Sequence, residues 1–245
     1  MKNRMLMLGV VLVVVGLCGS SALALTPMGP PMAGLKQGQS SVGFDFSYSE
    51  MDVEVSGLGI SETLDDVESF AYLANLSYGI TDDWEAFIRL GLTDVESEEF
   101  DGSSEFAYGF GTKVTFEQKD AVTWGGLFQM TWAKSDDSLT GYVPGYGIVT
   151  ADIEIDFYEI QIAVGPTYEL NDTTSIYGGP FLHFIDGDLD VSVLGVTGSL
   201  DVEQESVFGG YIGLSKEIDE NTNLGLEYQF TNDAQAIGFR LVHKF

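Results

Sequence analysis

Histidine and cysteine are scarce in this sequence: His183, His243 and Cys18 are the whole supply in 245 residues. A nucleophilic enzyme needs a base beside its hydroxyl or thiol. The nearest approach to one is His183, close in sequence to Asp186 and Ser192, but the spacing matches no serine–histidine–acid arrangement. No enzyme is therefore expected. The run Asp186-Gly187-Asp188 with Asp190 only partly matches the aspartate–glycine spacing of a calcium loop. Its acids alternate, so they point off one side of an extended chain. Weak divalent-cation association through surface charge is expected there, with no caged metal and no cofactor. Acids outnumber bases 38 to 10, giving a net charge of −28. That balance excludes nucleic acid as a partner, because phosphate binding needs clustered Lys and Arg.

More informative are isolated charges set within apolar segments: Asp45, Arg89, Lys113, Glu159, Glu227 and Arg240, with Gln129 and Gln161. Their neighbours alternate with period two. Trp84, Ala86, Ile88, Leu90 and Leu92 lie on the face opposite Glu85, Arg89 and Gly91. Val122, Trp124, Phe128, Met130 and Trp132 oppose Thr123, Gly125, Gln129 and Thr131. Leu224, Leu226, Tyr228 and Phe230 oppose Gly225, Glu227 and Gln229. Such segments recur about ten times between residues 41 and 245. The seventh, near 176–185, has an ambiguous phase and holds Pro180, which a hydrogen-bond ladder tolerates badly. One apolar face and one face of Gly, Ser, Gln and charge fit strands with lipid outside and a polar lumen inside. A soluble sandwich would bury the apolar face instead.

Three spans follow. Residues 1–24 read as a signal peptide: Lys2 and Arg4, an apolar run from Met5 to Leu17, and the small-residue cleavage site at Ser21–Ala24. Residues 25–40, rich in Pro and Gly, read as an extended periplasmic leader. Residues 41–245 form the strands. Short connections at 81–83, 117–120, 171–174 and 219–222 alternate with longer acidic ones at 50–68, 95–104, 135–155 and 186–206. This is the asymmetry of periplasmic turns and extracellular loops. Several long connections themselves alternate (MDVEVSGLGI, DIEIDF and LDVSVLGVTGSLDVE), so strands are expected to project beyond the bilayer. The expected fold is all-β: a closed antiparallel transmembrane barrel of ten strands, or eight if segments seven and eight belong to a loop. Trp84, Trp124 and Trp132, near strand ends, suit an interfacial aromatic girdle.

At the carboxyl end, Ile237, Phe239, Leu241 and the terminal Phe245 alternate outward, with His243 departing from the usual apolar third-last position. This strand resembles the signal read by the outer-membrane barrel assembly machinery. With the strand pattern, the chain resembles small Gram-negative outer-membrane β-barrel proteins of the OmpA/OmpW-like, porin-family type. The resemblance implies an outer-membrane location, outer-membrane lipid and lipopolysaccharide as surroundings, and assembly by that machinery.

Counted from the periplasmic turns, Asp45, Arg89, Glu227 and Arg240 fall at similar heights. Barrel closure is expected to set Arg240 between Glu227 and Asp45, with Lys113 slightly lower and Glu159 higher. The cluster reads either as a constriction that selects small solutes or as a paired polar core. The expected function is a porin-like passive channel for small polar solutes or cations. The alternative is a non-conducting barrel that presents acidic extracellular hairpins.

Overall fold

A computed structural model describes residues 25–57, 60–96, 105–143, 147–194, 196–203 and 207–245. The expected signal peptide, with Cys18, lies outside the described residues, as do 97–104 and Glu205.

The strands are β1 (Ser40–Gly57), β2 (Ile60–Thr81), β3 (Trp84–Glu96), β4 (Glu105–Lys119), β5 (Val122–Val143), β6 (Gly147–Asn171), β7 (Thr174–Val193), β8 (Val196–Glu203), β9 (Phe208–Glu217), β10 (Thr222–Phe230) and β11 (Ala234–Lys244). All pair antiparallel. Ten of them close a ring in which β7 passes directly to β9 and β11 returns to β1. The closing register runs from Ser41 opposite Lys244 to Met51 opposite Ala234. The eleventh strand, β8, is one more than expected. It is the return arm of the alternating hairpin read in 186–206, pairing with β7 above the ring and with β1 at Glu54–Ser56.

Period-two alternation sets which side chain meets which solvent. Leu76, Ile88, Phe110, Ile162 and Leu226 point outward and are about half exposed, forming the apolar outer face. Their neighbours Asn75, Arg89, Gln161 and Glu227 are buried in the lumen. Segment seven was ambiguous because β7 is apolar on both faces. Leu182 and Phe184 face out, while Tyr177, Phe181 and His183 face in; Tyr177 and Phe181 meet Tyr211 of β9, and His183 packs on Phe181. Pro180 sits where the β6–β7 ladder is interrupted, between the pairs Ala163–Phe181 and Thr167–Tyr177.

Above the membrane the phase is kept but the chemistry reverses. On β6 the outward residues become Asp152, Glu154 and Asp156, and the inward ones Ala151, Ile153, Ile155 and Phe157. Asp156 stands between Lys134 of β5 and Asp188 of β7, and Asp188 in turn opposes Asp201 of β8. Lys134 Nζ lies 2.5 Å from Asp156 and 3.5 Å from Glu154.

Candidate functional site

The lumen is occupied by residues 25–35 of the same chain. Residues 25–40 were expected to be a periplasmic leader. Instead, 25–35 rise into the barrel from a rim anchor, where Gln37 N–H donates to Asp82 (3.0 Å) and Gly38 N–H to the Gly79 carbonyl (2.9 Å). Leu25, Thr26 and Met28 are fully buried at the inner end. The physical reason is legible afterwards: LTPMGPPMAGL holds four large apolar residues and no charge, a poor composition for a solvated linker. Its prolines also favour an extended path without backbone donors to satisfy.

Lumen charges meet this segment at its backbone. Glu227 accepts from the amides of Met28 and Gly29, each at 2.8 Å, and from Gln229 at 2.7 Å. Arg240 donates to the Met28 carbonyl (2.8 Å), and Lys113 to that of Pro30 (2.8 Å). Arg89 donates to the Pro27 carbonyl and to the Thr26 hydroxyl (3.1 Å). Glu159 accepts from the Thr26 hydroxyl (2.9 Å) and amide (3.3 Å). Nearer the rim, Glu85 accepts from Gly34 (2.8 Å) and Thr115 from Ala33 (3.2 Å).

Behind these contacts, Asp45 bridges two guanidiniums. Arg89 Nη2 is 3.1 Å from one oxygen and Arg240 Nε 3.2 Å from the other. A fully buried carboxylate and guanidinium are tolerable only when paired and otherwise hydrogen-bonded. Arg89 meets that condition through Asn75 (3.0 Å) and the segment.

All six charges singled out from sequence thus face the lumen and are buried. Arg240 pairs with Asp45 as expected, but the bonds of Glu227 go to the segment rather than to Arg240. Lys113 stands opposite Glu85, an inward residue of β3 that joins the cluster. Gln129 and Gln161 bond each other, and Gln161 also donates to Gln229. The imagined His183–Asp186–Ser192 set is not brought together. His183 faces inward against Glu159 (3.0 Å), Asp186 faces outward, and Ser192 bonds Thr197 (2.8 Å). Ile237, Phe239, Leu241 and Phe245 lie on the outer face. His243 sits at the periplasmic rim against Thr222 and the Phe245 ring.

The segment leaves one side of the lumen open below. A vestibule of about 460 Å³ lies beside it, lined by Glu85, Lys113, Glu169, Glu217, Arg240 and Lys244 among others. Among the described residues, no group of His, Cys, Asp and Glu is disposed to hold a metal ion.

The family model for the outer membrane protein beta-barrel domain matches residues 88–242. No curated protein matches the chain. Among solved structures, the translocator domain of the autotransporter NalP from Neisseria meningitidis is similar at 10% identity and a TM-score of 0.50, over 86% of this chain and 89% of that one. The outer membrane protease OmpT from Escherichia coli aligns at 7% identity and TM-score 0.46, over 91% and 98%. The toluene transporter TbuX from Ralstonia pickettii aligns at 10% and 0.43, over 88% and 92%. At such identities the likeness is one of fold.

Proposed function

We propose that this chain, which belongs to the outer membrane protein β-barrel domain family, is a porin-like channel for small polar solutes held shut at rest by its own N-terminal segment. One observation carries the reading. Segment 25–35 occupies the lumen and is bonded there by Glu85, Arg89, Lys113, Glu159, Glu227 and Arg240. A ten-strand ring is narrow, and at the level of the charge cluster the space its own side chains leave is taken by this segment. Conduction then requires the segment to leave. Once it does, a polar lumen faced by charges of both signs lies behind an acidic mouth, which favours cations. The barrel is proposed to act without catalysis, in contact with outer-membrane lipid and lipopolysaccharide. Its insertion is proposed to follow recognition of Phe245 and the alternating residues before it by the assembly machinery.

Planar-bilayer recording of the refolded chain tests this. The intact protein is expected to be largely silent. Glu227→Ala, which removes the acceptor for two segment amides, is expected to give discrete openings. A folded Glu227→Ala protein as silent as the intact chain overturns the reading. The second reading is a non-conducting barrel presenting external hairpins. It is favoured by the length of β5 to β8 beyond the lipid-facing residues and their outward acids.

A further inference from the structure

The barrel recognises segment 25–35 chiefly through its backbone. Strand side chains donate to the carbonyls of Thr26, Pro27, Met28 and Pro30 and accept from the amides of Thr26, Met28, Gly29, Ala33 and Gly34. Pro27, Pro30 and Pro31 carry no amide proton, so no donor is stranded at those positions. The wall is cut away along the path. A Cβ added at Gly125 would lie 2.6 Å from the Met32 Cα, and one at Gly238 would lie 2.7 Å from the Pro27 ring. Gly29 has φ +70°, and its missing side chain leaves room for the Arg240 guanidinium. The two guanidiniums of the wall are already paired with Asp45 and ask no countercharge of the peptide.

None of these contacts uses the covalent link at residues 36–39, which lies exposed or half-exposed at the rim. We propose that the lumen is a binding site for an extended, uncharged, proline- and glycine-rich peptide, filled in cis by residues 25–35 and open to a peptide of the same chemistry in trans. The inference rests on the segment being the plug of the proposed channel. The tether gives the cis segment an effective concentration on the order of millimolar. A trans peptide therefore competes only once the cis segment has left or been cut.

The test uses a full-length variant carrying a site-specific protease sequence in place of residues 37–39. It is folded with its segment seated, then cut and washed free of the segment. It is next titrated with the synthetic peptide LTPMGPPMAGLK, labelled at its lysine, with fluorescence anisotropy as readout. Saturable binding is expected, competed by the unlabelled peptide. At least tenfold weaker binding is expected for a peptide N-methylated at the residues matching Met28 and Gly29, because both amides taken by Glu227 are then lost. Absence of saturable binding overturns the proposal, as does equal binding of the methylated peptide. If cutting unfolds the barrel, the uncut Met28→Asp chain, whose own segment carries a charge into a buried site, is titrated in the same way and is expected to bind. Failure here is distinct from failure of the channel reading. A conductance that rises on cutting while the peptide does not bind removes the trans site alone. Saturable binding without any conductance removes the channel alone.

Discussion

Asp45 has no solvent to share its charge with; Arg89 donates to one of its oxygens, and Arg240 lies at ion-pair distance from the other. Removing one member of a buried ion network leaves an uncompensated charge, at a cost of about 3–5 kcal/mol. Asp45→Asn strands two guanidiniums and is expected to lower the unfolding free energy in detergent by that order. Lys134→Met, at an exposed pair, is expected to change stability by about 1 kcal/mol or less. Equal effects of the two substitutions in a chemical-denaturation series would contradict the buried network. At the external rim, Glu50 accepts from the Tyr48 hydroxyl (2.6 Å) and from Gln235 (2.7 Å). The Tyr48 bond first, and the Gln235 bond second, hold its carboxyl below the ordinary carboxylate range. A lowered folded pKa means this contribution is present above the ordinary value and is lost as pH falls through the lowered one. Tyr48→Phe is expected to move the Glu50 titration upward in carboxyl NMR. No upward movement would show that the bond does not act on the charge.

At the scale of elements, the N-terminal segment and the strands differ in how far sequence reveals them. Strands β3, β5 and β10 were legible because lipid outside and a polar lumen inside impose period two on every turn of the pleat. β7 was only partly legible. Its lumen face carries Tyr177 and Phe181, so the contrast between faces vanishes. β8 was legible only as alternation within a loop, because its partners on β7 and β1 are fixed by closure. The segment's seating was not legible, its apolar composition being the one hint against a solvated linker. The segment has no period, and its partners are remote in sequence: the Met28 amide meets a carboxylate 199 positions away. Its seating can be probed without recording currents. Gly29→Ala combines a positive φ with a collision against Arg240, whereas Gly38→Ala, at φ +82°, meets open space. The first is expected to raise the rate of trypsin cleavage after Lys36 severalfold in folded protein, and the second much less. Similar rates would mean that the Gly29 contact does not hold the segment.

Across the whole molecule, the same alternation serves two solvents. In the membrane it turns apolar residues outward. Beyond it, Asp152, Glu154, Asp156, Asp188 and Asp190 face water while Ile153, Ile155, Leu189 and Val191 turn inward. An acidic mouth on a chain of net charge −28 raises local cation concentration, an effect that salt screens over about 10 Å at 0.1 M. Once the lumen is open, neutralising Asp156, Asp188 and Asp190 to Asn is expected to reduce cation preference at low salt and to matter little at 1 M. An unchanged reversal potential in a salt gradient would separate the mouth from the conduction path.

The central claim is that residues 25–35 close the lumen. It is tested most directly by single-channel recording of the variant cleavable at 37–39, before and after cutting and removal of the segment, with the loss verified by mass. The account predicts silence before cutting and discrete steps afterwards. Steps of equal size before and after, or silence in a folded barrel shown to have lost its segment, would contradict it.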